Sequence, residues 1–268
     1  MYFKTSGVKT KLSCVRLLST KAIYPPLERV QEISSGENIK WLDIYHLQRP
    51  ILFKGIIREW PACQKWKDFD YLKNKVNSSS SNEKVIVPVE CGESYMDSRL
   101  QILNLDFVEL LDFFQKDIPD IPKLYLAQFD LNEIPGLMED LDVPEITKTG
   151  SSIYRTNIWL GGQSGSSSPC HNDPFDNILC QIIGNKKVIL FPPSSKQYLY
   201  LNDPHHKQKN TSRIDFRKPD HVNFPLFKDT PNGLCAYIES GDALFIPLRW
   251  YHYCETTALS CSVNYWWL

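Results

Sequence analysis

The sequence predicts a mainly β protein, a sandwich or jelly roll with a short helical lead-in. Three observations carry this reading. Beyond Lys123, seven runs rich in β-branched and aromatic residues are separated by Gly, Pro and Ser turns. Aromatic residues make up 12% of the chain, with seven Trp, and 18 Pro outnumber 12 Gly, which suits strands joined by rigid loops. No alternation of strand and helix argues for a parallel sheet.

Taken in order, Ile39, Leu42 and Tyr45 recur at helical spacing, and Arg49-Pro50 ends that helix before an extended Ile51-Leu52-Phe53. Trp60-Pro61 is a break. Trp66 to Val76 reads as a helix that dies in the polar run Asn77 to Asn82, a surface loop. Lys84 to Val89 is strand-like. Asn104 can cap a helix whose Phe107, Leu110, Leu111 and Phe114 form one apolar stripe, read as core. The strands that follow are Leu124 to Phe129, Ile153 to Leu160, Asn177 to Ile183, Lys187 to Phe191, Leu234 to Glu239, Ala243 to Ile246 and Ser260 to Trp267. A polar insert from Asn202 to Pro225 interrupts them and carries His205, His206 and His221.

The 268 residues are enough to enclose one sizeable core, and 42% hydrophobic with 23% charged residues excludes disorder and coiled coil. Thirty basic and 31 acidic residues give a net charge of −1, so no field of one sign drives strong nucleic-acid binding. Eight cysteines without a C-x-x-C read as reduced thiols. No run is long and apolar enough to span a membrane as a helix. Residues 1–26 hold five Lys and Arg among Ser and Thr and no acid. They read as a flexible basic tail or, equally, as a mitochondrial address, followed by one domain over 27–268, with a helical and strand part over 27–122 and a jelly-roll core over 123–268.

His171-Asn172-Asp173 is the first candidate for chemistry, because residues at i and i+2 of a strand share a face and can reach one ion. Six His and 31 acids lead one to expect about 0.7 chance matches to such a tripeptide, so a distant third ligand is needed. His252, after the Asp242 to Pro247 strand and a turn, fits that role. Taken singly, each histidine reads as well as a hydrogen-bonded core or loop residue. Together, two imidazoles and a carboxylate make the facial triad of non-haem Fe(II) oxygenases, whereas zinc usually takes a fourth protein ligand. The open positions would take dioxygen and an anionic chelator, and the chelator needs a fixed cation. Lys186 and Lys187 lie on opposite sides of one strand, so one of them points inward.

The run Ser168-Pro169-Cys170-His171-Asn172-Asp173, with Asn177, Gln181 to Lys186 and Leu190-Phe191-Pro192-Pro193, resembles the JmjC-domain Fe(II)/2-oxoglutarate oxygenases. So do Gly241 to Pro247, Trp250, His252 and Ser262 to Trp267, in the same order and spacing. Within that family the Val87 to Glu90 and Tyr125 to Gln128 runs resemble the JmjC-domain protein 5 group, also called lysine demethylase 8, which is described as arginyl hydroxylases. The resemblance implies a double-stranded β-helix, a jelly-roll core of cupin type, with flanking N-terminal helices. It implies His171, Asp173 and His252 as iron ligands and Lys186, rather than Lys187, as partner of the 2-oxoglutarate C-5 carboxylate. Ser168 and Tyr125 match positions that help hold that carboxylate, and Asn177 and Asn264 match polar positions near the cosubstrate. Glu90, Tyr95, Gln128 and Trp159 match positions lining the substrate pocket. Leu100 departs from the group, which would place a pocket tryptophan there.

The function so implied is hydroxylation of a protein substrate at arginine C-3, with release of succinate and carbon dioxide. Histone lysine demethylation through N-methyl hydroxylation is the alternative. A tRNA hydroxylase of the wybutosine type fits the neutral charge less well, and a non-catalytic binding module would be expected to lose a ligand or the lysine. The partner expected is a protein or peptide, arginine-containing or methyl-lysine. The resemblance points to nucleus and cytoplasm, and a chain ending at Leu268, without dimerisation helices, reads as a monomer. Cys170, beside His171, is where oxidation would be expected to disturb the site.

Overall fold

The computed structural model describes residues 24–79, 83–92, 100–116, 123–162 and 165–268. The expectations for Tyr95 and for nearly all of the basic tail lie outside the described residues. The elements in chain order are β1 (Leu27–Arg29), β2 (Gln31–Ser34), α1 (Trp41–Leu47), β3 (Ile51–Lys54), α2 (Pro61–Lys65), α3 (Phe69–Ser79), β4 (Ile86–Cys91), β5 (Gln101–Asp106) and α4 (Phe107–Lys116). The second half comprises β6 (Leu124–Asp130), β7 (Ile153–Gly161), β8 (Ser166–His171), β9 (Asp176–Ile183), β10 (Asn185–Phe191), β11 (Gly233–Glu239), β12 (Ala243–Ile246), β13 (Tyr251–Thr256) and β14 (Ser260–Trp267).

Two sheets face each other. The smaller has the order β1-β11-β10-β13-β8 and the larger β2-β3-β12-β9-β14-β7-β6-β4-β5. Alternation sorts the side chains into layers. Between the sheets, Leu179 of β9, Val188 and Leu190 of β10, Leu244 and Ile246 of β12 and Cys254 of β13 form one cluster. Their neighbours on the larger sheet, Ile178, Cys180, Phe245, Val263 and Tyr265, face outward and pack against Trp60, Trp66, Phe107 and Leu110 of the helical layer. The outer face of the smaller sheet buries Ile189, Phe191, Tyr251 and Tyr253 under Ile214 and Phe216 of the insert and Phe227 just beyond it. The insert is therefore a packed cover despite its polar sequence.

Several expectations on the early elements change. Asn104 lies within β5, pairing with Pro88, and does not cap a helix. The Asp106 side chain instead accepts the Val108 N–H at 2.8 Å at the start of α4. Trp66 ends α2, a short helix begun by Pro61, rather than starting α3. Its indole donates to buried Asp140 at 2.9 Å, and Asp140 also takes the Tyr71 hydroxyl and Lys75.

Two β-bulges bend the strands that flank the central opening. In β8, His171 pairs with His252 and Ser168 with Cys254, so Pro169 and Cys170 of β8 oppose the single residue Tyr253 of β13. In β6, Leu126 and Phe129 pair with Leu160 and Ile158 of β7, and Gln128 sits there at φ 50°. Each bulge inserts one residue and re-aims those beside it.

Candidate active site

The insertion at Pro169-Cys170 turns Ser168 and His171 to the same inner face although their positions differ by an odd number, three. His171 then lies opposite His252, with ring centroids 4.4 Å apart. Asp173 follows β8 in a loop, and its backbone carbonyl accepts from the Arg249 N–H at 3.1 Å. The Asn172 amide donates to the Arg249 carbonyl at 3.4 Å, so the two ligand-bearing segments are tied together. His252, expected beyond a turn, is the second residue of β13.

The nitrogen and oxygen atoms of His171, Asp173 and His252 lie within 4.8 Å of one another, a grouping that could hold a metal ion. The Nε2 atoms of His171 and His252 stand 3.7 and 3.6 Å from the Asp173 oxygens, beyond hydrogen-bond length. Each imidazole spends its other nitrogen on a carbonyl. His171 Nδ1 donates to Pro169 O at 2.8 Å and His252 Nδ1 to Trp250 O at 3.1 Å. A carbonyl can only accept, so these bonds place the proton on Nδ1 and leave the Nε2 lone pairs for an ion. Burial, with His171 alongside, lowers the His252 pKa to about 4, so its ring is neutral at neutral pH.

Lys186 and Lys187 part as alternation requires. Lys187 faces outward, pairs with Glu255 at 2.9 Å and lies over the Tyr24 ring. Lys186 is 4% exposed and has no hydrogen bond or ion pair among the described residues. Burial lowers its pKa. It shares an inner pocket with the triad, Tyr125, Ser168, Asn177, Asn264 and Trp159. The polar groups of that pocket are mutually fixed. Tyr125 Oη and Ser168 Oγ are 3.5 Å apart, Asn264 donates to Asn177 at 3.0 Å, and Trp159 Nε1 donates to Asn264 Oδ1 at 2.7 Å. A buried cation without a counter-charge is costly, so the pocket is built for an anion. This donor set fits a triad-bound metal with a dicarboxylate reaching Lys186.

The inner pocket opens into a cavity of 620 Å³ lined by Glu90, Gln128, Trp159, Tyr125, Ser168, His171 and Asp173. Burial raises the Glu90 pKa to about 7. Spacing alone did not single out Leu179, Ile246 and Cys254, the apolar wall of the inner pocket, nor Phe175, Trp266, Gln208 and Asn210 at the mouth. Tyr154 stacks on Phe175 at 4.5 Å and Phe175 on Trp266 at 5.5 Å. Tyr154 and Phe175 had only aromatic content as their signal in sequence, whereas Trp266 belongs to the Ser262 to Trp267 run. Cys170, expected to be vulnerable, is fully buried in the outer cluster, and burial holds its thiol protonated well above the usual range, which protects it from oxidation.

The cupin-like domain family model matches residues 38–268. Among curated proteins, the chain is 31% identical to Jumonji C domain-containing protein 5 of Drosophila melanogaster, over 92% of this chain and 64% of that protein. It is 34% identical to lysine-specific demethylase 8 of Xenopus tropicalis over 82% of this chain and 48% of that protein. It is 27% identical to tRNA wybutosine-synthesizing protein 5 of Gallus gallus over 84% and 72% respectively. The chain thus spans less than two thirds of the length of the first two. With a two-sheet cupin-type core, a His-Asp-His grouping at its opening and similarity to JmjC-domain proteins over most of its length, the chain belongs to the cupin-like domain family.

Proposed function

We propose that the protein is an Fe(II)- and 2-oxoglutarate-dependent protein hydroxylase that acts on arginine C-3. The observation that carries the substrate is Glu90. This carboxyl lines the mouth beside Trp159 and has no hydrogen bond or ion pair among the described residues, while burial lifts its pKa to about 7. A guanidinium would supply the missing partner in bidentate geometry, and the Trp159 ring could stack on its plane.

His171, Asp173 and His252 would hold the iron on one face, and Lys186, with the Tyr125 and Ser168 hydroxyls, would receive the distal carboxylate of 2-oxoglutarate. When bound, the iron and its cosubstrate supply the oxidising power that inserts one oxygen atom into a C–H bond, with succinate and carbon dioxide as products. The residues of this chain do the rest. The two histidines keep their protons on Nδ1, the Trp159–Asn264–Asn177 chain holds the pocket wall rigid, and Leu179, Ile246 and Cys254 keep its far side dry.

The test is incubation with iron, 2-oxoglutarate and ascorbate, followed by mass spectrometry of arginine-containing and methyl-lysine peptides. A gain of one oxygen on arginine supports the proposal. Loss of a methyl group from lysine, the chemistry that the demethylase relatives' names suggest, replaces it. Absence of succinate formation with either class sinks it.

A further inference from the structure

Three stacked rings stand at the mouth of the cavity, and neither the triad nor the cosubstrate pocket uses them. Tyr154 stacks on Phe175 with ring planes 15° apart, and Phe175 on Trp266 with planes 20° apart. All three residues line the cavity. Tyr154 is the extra residue of a bulge in β7, because Arg155 pairs with Trp266 and Ile153 with Trp267. The bulge lets Tyr154 line the cavity alongside Arg155 and Trp159, whose face plain alternation would deny it. Phe175 stands two residues after Asp173, and Trp266 belongs to β14. Exposure rises along the stack, from Trp266 at 5% through half-buried Phe175 to Tyr154 at 66%. One face of the Tyr154 ring is spent on Phe175, so its large exposed area leaves the opposite face for a further ring.

We infer that this ladder is a substrate subsite, which takes an aromatic side chain of the polypeptide, flanking the residue that enters the cavity, onto the open face of Tyr154. The inference rests on the reading of the cavity as a protein-substrate site. The carboxylates and the guanidinium of the lining are Glu90, Asp173 and Arg155, and Arg155 is already paired with Asp130 at 3.2 Å. No unpaired Lys or Arg among the lining residues waits for a phosphate, which argues for a peptide ring rather than a nucleobase as the next in the stack. A ring laid on Tyr154 extends a series whose planes are already aligned, so little of the protein must be ordered to receive it. Because Phe175 lies two residues from Asp173, the ladder is held at a fixed distance from the triad. What the subsite selects is therefore an aromatic residue at one spacing along the peptide, and not aromatic content as such.

The experiment is fluorescence anisotropy on the full chain, with fluorescein-labelled Ser/Gly peptides of one central arginine in which a single Trp or a single Leu is moved through the flanking positions. At one or two neighbouring positions the Trp peptide is expected to bind about fivefold more tightly than the Leu peptide, the factor that an aromatic pair adds beyond the area it buries. The preference should persist as salt is raised from about 50 to about 500 mM, because stacking is not screened. Tyr154→Ala should erase it and Tyr154→Trp should keep it. Tyr237→Ala, at an exposed ring of the smaller sheet outside the cavity lining, should leave it unchanged. Equal binding of Trp and Leu peptides at every position overturns the inference, as does a preference that survives in Tyr154→Ala or is lost equally in Tyr237→Ala. Tighter binding of a single-stranded RNA that Tyr154→Ala abolishes also overturns it, by assigning the rings to bases. Binding is read without turnover, so an inactive protein with the preference fails only the hydroxylase proposal, and an active one without it fails only this inference.

Discussion

His171 and His252 face each other across adjacent antiparallel strands with their rings 4.4 Å apart, and each gives its Nδ1 proton to a carbonyl two residues earlier in its own chain. The pairing fixes two Nε2 atoms beside Asp173 before any ion arrives. Asp173→Ala should therefore keep the fold and lose the ion. Isothermal titration with Fe(II), or with Mn(II) as a stand-in, should show affinity reduced at least about 100-fold, and succinate formation should fall to background. Unchanged metal affinity would remove Asp173 from the centre.

Lys186 gives opposite outcomes for stability and binding. Lys186→Met removes a buried charge without a partner, so the free protein should melt at the same temperature or higher. The same variant should bind 2-oxoglutarate about 10–100-fold more weakly, and thermal-shift scans should show the cosubstrate's stabilising effect disappear. A variant that still gained stability from 2-oxoglutarate would show that the lysine is not its partner.

Glu90 ties binding and stability to pH. Its folded pKa of about 7 lies above its usual 4.5, so the folded protein keeps a proton that the unfolded chain releases between those values. The contribution of this group to stability is therefore lost as pH rises through that window and stays lost above it. Glu90→Gln should be more stable than the parent at pH 8 and indistinguishable from it at pH 4. Affinity for an arginine peptide should rise with pH through about 7 in the parent and stay flat in the variant. Denaturant titrations and anisotropy at both ends of the range check the two slopes.

Asp140 tests the helical layer. Its carboxylate is buried with Trp66, Tyr71 and Lys75 as partners. Asp140→Ala leaves those donors and the half-buried ammonium without an acceptor, and should lower the unfolding free energy by about 3 kcal/mol in urea titrations. Metal affinity of the folded fraction should not change, because the pair lies on the far side of the larger sheet from the triad.

Much of the site was readable because β10 and β12 are regular, as is β9 from Asn177 to Gln181. Alternation alone separates Lys186 from Lys187, and the structure puts Lys187 on Glu255 and leaves Lys186 inside. It also puts Asn177 and Leu179 on one wall. Where a strand is bulged, alternation fails. Counting from Ser168 by twos reaches Cys170 and would turn His171 outward, whereas the extra residue at Pro169-Cys170 reverses both. Gln128 is likewise presented by a left-handed residue inside a strand, a conformation that composition does not advertise. The helix of Phe107, Leu110, Leu111 and Phe114 is present as α4, but the cap expected at Asn104 failed for a different reason. Pairing with β4 supplied hydrogen bonds that the isolated segment lacks, and strand outcompeted cap.

β8 ends the smaller sheet, so its outer side is an edge. An open edge is a template for the strand of another molecule, and here it would offer the backbone of the very residues that hold the ion. A bridge between His171 and Thr211 and the hydrogen bonds of Ser212 to Cys170 and of Asn172 to Asn210 occupy that template. Shortening the insert would thus expose a sticky margin and release a ligand in one stroke. Solubility and metal affinity should decline together along a series of loop deletions, so selection against self-association and selection for activity act on the same few hydrogen bonds.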